Sequence, residues 1–179
     1  VADAFIRVGT FRRILVVGAE IQSTAMDVST KGRNTAVIFA DGAGAVVLAP
    51  SEREDQGLLA VDLHSDGGHA EMLWVDVPGC MYHPRISKEH IDAGRHFLSM
   101  DGKEVFRHAV VNLAAAIDVA LHANSITADE VDWLVPHQAN RRIIDSMGHR
   151  LKLSEDRAVI TVDRHANTSA ASIPLALAE

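Results

Sequence analysis

Apolar and polar positions along this chain fall into blocks whose period changes several times. Residues 13–20, RILVVGAE, form a continuous apolar run that predicts a buried strand. After a polar loop over 23–33, residues 34–40, NTAVIFA, predict a second strand. A turn at 41–44, DGAG, and a third strand at 45–48 follow, so that 34–49 reads as a tight hairpin-like unit. Residues 58–65, LLAVDLHS, alternate in part and predict a fourth strand. The period then becomes helical. Between 101 and 124 the apolar residues sit at Val105, Phe106, Ala109, Val110, Leu113, Ala116, Ile117, Ala120 and Leu121, the spacing of one helix face. Thr127 opens a short acidic helical turn, 133–136 (WLVP) predict a strand, and 138–151 a helix. A strand over 158–162, a loop over 163–167 and a helix opened by Thr168 or Ser169 complete the pattern. Residues 1–8 read as an amphipathic helix with Ala2, Phe5 and Ile6 on one side. Residues 66–100, rich in Gly, Pro, His and Met, hold no period and read as a long functional excursion. Strands alternating with helices predict an α/β fold with a largely parallel or mixed sheet.

In such folds the chemistry lies beyond the carboxyl ends of the strands. Two segments satisfy that rule: PHQAN, after WLV, and HANTS, after VITV. They offer His137 and Asn167 as polar groups presented at strand ends. Taken singly, a His there is an ordinary structural residue and an Asn an ordinary helix-entry residue.

Composition narrows the classes. The chain has 179 residues, about one domain, and 47% of them are apolar, enough for a sizeable core. A net charge of −7 argues against general nucleic-acid binding. The single Cys80 excludes an internal disulfide framework and a cysteine zinc cage, and fits a reducing cytoplasm. His64, His69, His83, His90 and His96, with Asp62 and Asp66, match no metal-ligand spacing, so no metal is expected. DGAGA lacks the Lys-Ser/Thr of a phosphate loop, and no G-x-S-x-G elbow is present. No signal-peptide pattern opens the chain, and its apolar runs fall well short of the ~20 residues of a membrane span, so no membrane partner is expected. The chain begins without Met inside one predicted helix and stops inside another, at IPLALAE, so both ends are expected to be cuts.

PHQAN followed about 28 residues later by HANTSAASIP resembles the β-ketoacyl-ACP synthase III family of thiolase-fold condensing enzymes. FADGAGAVVL, MDGKEVFRHAV and VDWLVPHQAN resemble further family motifs, so the likeness covers nearly the whole chain. The pattern departs at Ala166, where the family usually has Gly, a residue that tolerates dihedrals Ala does not.

The resemblance implies an incomplete thiolase-like layered αβαβα fold, with 1–52 ending the N-terminal half and 53–179 forming most of the C-terminal half. It implies decarboxylative condensation of an acyl-CoA with malonyl-ACP, without a cofactor other than the coenzyme A thioester substrate. His137 and Asn167 would donate hydrogen bonds to the enolate oxygen. The family's nucleophilic Cys would lie roughly ten residues before Val1, at a helix start that lowers its pKa. Cys80 sits in the excursion and does not replace it. Arg33, Gly102, Phe106, Ala139 and Asn140 match substrate-binding positions. Arg107, Arg141 and Arg142 match a surface that docks acyl carrier protein. A cytoplasmic homodimer is implied. Two rival readings are a polyketide-priming or signal-molecule synthase of the same fold, and a non-catalytic module that binds acyl carrier protein.

Overall fold

The computed structural model describes residues 1–53 and 56–179. After a short helix, α1 (Ala2–Arg7), the first apolar run forms strand β1 (Ile14–Glu20) as predicted. The next segment departs from the sequence pattern. Residues 33–36 make a helical turn, α2 (Arg33–Ala36), in place of a strand. Thr35 is buried there, its hydroxyl donates to the Gly32 carbonyl at 3.0 Å, and the Ile38 N–H donates to the Thr35 carbonyl at 2.9 Å. These local bonds and tertiary packing override the β-propensity of Val37, Ile38 and Phe39. Phe39 alone becomes strand-like, in a single parallel bridge to Asn167.

The expected DGAG turn is instead the start of strand β2 (Gly42–Leu48). This strand runs antiparallel to β1, with Gly42 opposite Glu20 and Leu48 opposite Ile14. Its glycines serve close approach, not turning. A Cβ on Gly44 would lie 2.9 Å from the Pro174 ring, and one on Gly18 of β1 only 2.2 Å from the Ala170 carbonyl oxygen. The β1–β2 ladder therefore lies directly against the chain that follows Asn167.

The predicted strand at 58–65 is absent; the segment forms no ladder. The 66–100 excursion carries a two-residue strand β3 (Leu73–Trp74), a helix α3 (Lys88–Asp92) and strand β4 (Ser99–Met100), which pairs antiparallel with β3. A polar network holds the loop between them. Tyr82 donates to Asp76 at 2.7 Å, and Arg95 donates to Asp76 at 2.5 Å and to the Tyr82 oxygen at 2.6 Å. Arg95, and then the Tyr82 hydroxyl, hold the Asp76 carboxyl below the usual carboxylate range.

The long helical pattern forms α4 (Gly102–Asn124). Its N-terminus is capped by Asp101, and it ends on Ser125 in the left-handed conformation, φ 54°. By length and composition alone α4 is apolar enough to cross a bilayer, which the reading of short apolar runs did not anticipate. Here it packs against helix α5 (Arg141–Leu151). The predicted strands at 133–136 and 158–162 meet through one parallel bridge, Leu134 to Ala158, without extending into a ladder. A short helix α6 (Val162–His165) replaces the end of the second strand and the expected loop. Helix α7 (Ser172–Leu177) follows. The core lies between α4, α5 and the 134–162 segment. Ile143, Ile144, Met147 and Ala158 form its buried centre, with Phe106, Ala109 and Ile117 of α4 against it.

Candidate functional site

The extended segment through Leu134 to Pro136 delivers His137, and the segment ending at Ala166 delivers Asn167. Gln138 ties the two together. Its side chain is fully buried. Its Nε2 donates to the carbonyls of Pro136 and Val159, each at 3.0 Å. Its Oε1 accepts from the N–H groups of Thr161 at 2.7 Å and Val162 at 3.2 Å. Every side-chain hydrogen-bonding valence of this amide is thus filled, as a buried amide requires.

Asn167 is itself 7% exposed. Its backbone N–H donates to Ile38 O at 2.9 Å, and its carbonyl accepts from Ala40 N–H at 3.0 Å. Its side-chain oxygen accepts from the Ser169 N–H at 3.0 Å. That bond occupies the acceptor end of the carboxamide and leaves its NH₂ as the group available to a ligand. The His137 Nδ1 lies 2.5 Å from the Ser172 hydroxyl. The imidazole keeps contact with solvent, yet the packed wall around it desolvates the ring and lowers its pKa, favouring the neutral form.

His137 and Asn167 line one cavity of about 550 Å³. Gly102, Phe106, Ala139 and Asn140, the substrate-binding candidates, line it too. The sequence did not single out Ile38, Phe39, Leu73 and Met100, which complete the wall near the two polar groups. Most of the remaining wall is apolar and comes from α4, α5 and Leu134. An apolar pocket with a few convergent polar groups is the usual form of a small-molecule site. Asn140 also caps α5, accepting from the Arg142 N–H at 2.9 Å.

Arg33 is not brought to this cavity; it opens α2 on the surface. Cys80 is an exposed loop thiol and takes no part in the wall. The three docking candidates are exposed and differ in engagement. Arg107 pairs with Glu104 at 2.7 Å and Arg141 with Asp145 at 2.8 Å. Arg142 has no carboxylate partner among the described residues; its guanidinium stacks 5.1 Å above the Phe106 ring, at the edge of the cavity. Ala166 stands at φ 57°, ψ −162°, a conformation that favours glycine. Sequence reasoning missed Ser172 and Gln138. Each is a polar residue at a buried position, but nothing in the local pattern marks which face either takes.

Helices and short strands that bring His137 and Asn167 to one cavity place the chain in the thiolase-fold class. The family profile described as 3-oxoacyl-[acyl-carrier-protein (ACP)] synthase III matches residues 1–67, and its C-terminal counterpart matches 121–179. A β-ketoacyl-[acyl-carrier-protein] synthase III from Acidiphilium cryptum is 51% identical over 180 residues, spanning 100% of this chain and 52% of that protein. The crystal structure of the corresponding Thermus thermophilus synthase superposes with a TM-score of 0.84 at 38% identity, covering 99% of this chain and 52% of that one. A priming β-ketosynthase from the R1128 polyketide pathway superposes at 0.77 with 32% identity, covering 97% and 49%. The chain belongs to the β-ketoacyl-ACP synthase III family. It spans about half the length of the curated relatives it matches.

Proposed function

We propose that this chain supplies the decarboxylation half of a condensing site that joins an acyl-CoA, with acetyl-CoA as the favoured primer, to malonyl-ACP. The observation that carries the reading is the shared cavity, where a neutral imidazole and a carboxamide with its acceptor end occupied lie together. In this mechanism a cysteine outside this chain first takes the acyl group as a thioester. Malonyl-ACP then enters. The bond between its C2 and the carboxylate breaks, carbon dioxide leaves, and the electron pair moves onto the thioester oxygen as an enolate. His137 Nε2–H and Asn167 Nδ2–H donate to that oxygen. The enolate C2 attacks the acyl-cysteine carbonyl, the carbon–sulfur bond breaks, and the thiolate departs, leaving 3-oxoacyl-ACP. Two neutral donors suit the step, since they stabilise charge as it develops without holding an anionic substrate too tightly beforehand. Gly102, Phe106, Ala139 and Asn140 would line the path of the pantetheine arm.

Arg107, Arg141 and Arg142 would form the face that meets acidic acyl carrier protein. Arg33, at the surface, would meet the adenine end of coenzyme A. The intact protein would act as a cytoplasmic homodimer, with residues 1–52 closing its N-terminal half.

His137→Ala in the intact synthase tests the reading. Decarboxylation of malonyl-ACP should fall by about 100–1000-fold while acylation of the cysteine by acyl-CoA stays measurable. A normal decarboxylation rate in that variant overturns the assignment. A second reading keeps the same chemistry and changes the primer, as in a polyketide-priming synthase; the 32% identical priming β-ketosynthase supports it. Comparing the acyl-CoA chains that acylate the cysteine distinguishes the two.

A further inference from the structure

We infer that Ser172 is a positioning residue that fixes the tautomer of His137, holding its proton on Nε2. The inference rests on the reading of His137 as an oxyanion donor and extends it to a residue that never touches substrate.

The hydrogens around the buried Ser172 hydroxyl can be counted. Ser172 is 1% exposed at the start of α7. Its hydroxyl oxygen accepts from the Gln138 backbone N–H at 3.3 Å and lies 2.5 Å from His137 Nδ1. Among the described residues it makes no other hydrogen bond. One hydrogen occupies the short Oγ–Nδ1 contact. If it belonged to the imidazole, Oγ would accept two N–H donors and its own hydrogen would be buried without an acceptor, which native interiors avoid. If it belongs to the hydroxyl, every group is satisfied. Ser172 donates to Nδ1 and accepts from Gln138. The neutral imidazole then carries its proton on Nε2.

That nitrogen has no protein partner among the described residues, and His137 lines the cavity. The Nε2–H tautomer therefore offers a donor to an anionic oxygen. The opposite tautomer would turn a lone pair toward the developing charge and oppose the reaction. Lowering of the His137 pKa by burial is consistent with a ring that works uncharged. The geometry also explains why a polar residue interrupts the small apolar residues at the start of α7.

The experiment uses the intact synthase that carries this sequence, labelled with ¹⁵N-histidine. Two-bond ¹⁵N–¹H correlation should place His137 Nδ1 at the shift of an unprotonated ring nitrogen and Nε2 at that of a protonated one, near neutral pH. The reverse pattern overturns the inference. In parallel, Ser172→Ala should lower kcat for malonyl-ACP decarboxylation by about 10–100-fold, with KM for malonyl-ACP and the rate of cysteine acylation little changed. Ser172→Thr, which keeps the hydroxyl, should recover most of the loss. A Ser172→Ala enzyme that decarboxylates at the parent rate, while His137→Ala does not, overturns the role of Ser172 alone. If His137→Ala decarboxylates normally, the oxyanion reading itself falls, and the tautomer has no catalytic consequence.

Discussion

Ala166 immediately precedes Asn167 and holds φ 57°, ψ −162°, where a Cβ is strained. Strain of about 1–3 kcal/mol is the usual cost of such a residue, against roughly 0.4–1 kcal/mol of unfolded-state entropy that Gly would add. Ala166→Gly should therefore raise the stability of the intact protein by about 1 kcal/mol, read from the urea midpoint at constant slope. No gain would mean the backbone relaxes around the methyl group. His137 offers a second test at this scale. Desolvation lowers its folded pKa below the unfolded value of about 6.5. Above that value both states are neutral and the shift has no effect on stability. As pH falls through it, the unfolded chain takes up a proton that the folded chain resists, so stability declines until the lowered folded pKa is passed. An NMR titration of the His137 ring should show a midpoint below 6.5; a midpoint at or above it would contradict the desolvated ring. At this scale the sequence was most informative where neighbouring residues combine into a motif. His137 and Asn167 stood out because PHQAN and NTSAAS resemble family motifs. Ser172 and Gln138 did not, because their roles depend on which neighbour each faces.

At the scale of elements, helices were more readable than strands. The 3.6-residue period of α4 spans six turns and leaves little ambiguity. NTAVIFA and DGAGA were misread because a short β-branched run and a glycine pair each fit more than one structure. The deciding facts were tertiary: the hydroxyl-to-carbonyl bond that winds Thr35 into a turn, and the closeness of the 168–175 segment to β2. Gly18 shows how demanding that contact is. A methyl group there would meet the Ala170 carbonyl at 2.2 Å, and the turn after Asn167 would have to move. Gly18→Ala should cost about 1–3 kcal/mol and reduce decarboxylation more than cysteine acylation. Equal losses of both activities would show that the contact supports the fold without bearing on the site.

For the molecule as a whole, Arg142 at the start of α5 stacks on Phe106, a cavity-lining residue near the start of α4. The chain is acidic overall, at −7, so the proposed docking of an acidic carrier protein would depend on a local cluster of cations. Arg142→Glu should weaken carrier-protein binding roughly ten-fold and coenzyme A binding much less, by titration of each ligand on the intact synthase. Equal weakening of both would argue that Arg142 serves the cavity and not the docking face. The α/β class and the layered fold were anticipated from the sequence as a whole. Strand pairing is mixed and not largely parallel: among the described residues the ladders are antiparallel, and the parallel contacts are single bridges.

The saturated amide of Gln138 has a corollary for how such enzymes diversify. Because it grips the 136–138 loop and the 159–162 chain at once, the segments that lead to His137 and Asn167 are tied to one another. The part of the wall formed by Leu73 and Met100 belongs to a separately braced loop. A change in that loop would thus reshape one side of the cavity and leave the hydrogen bonds of Gln138 intact.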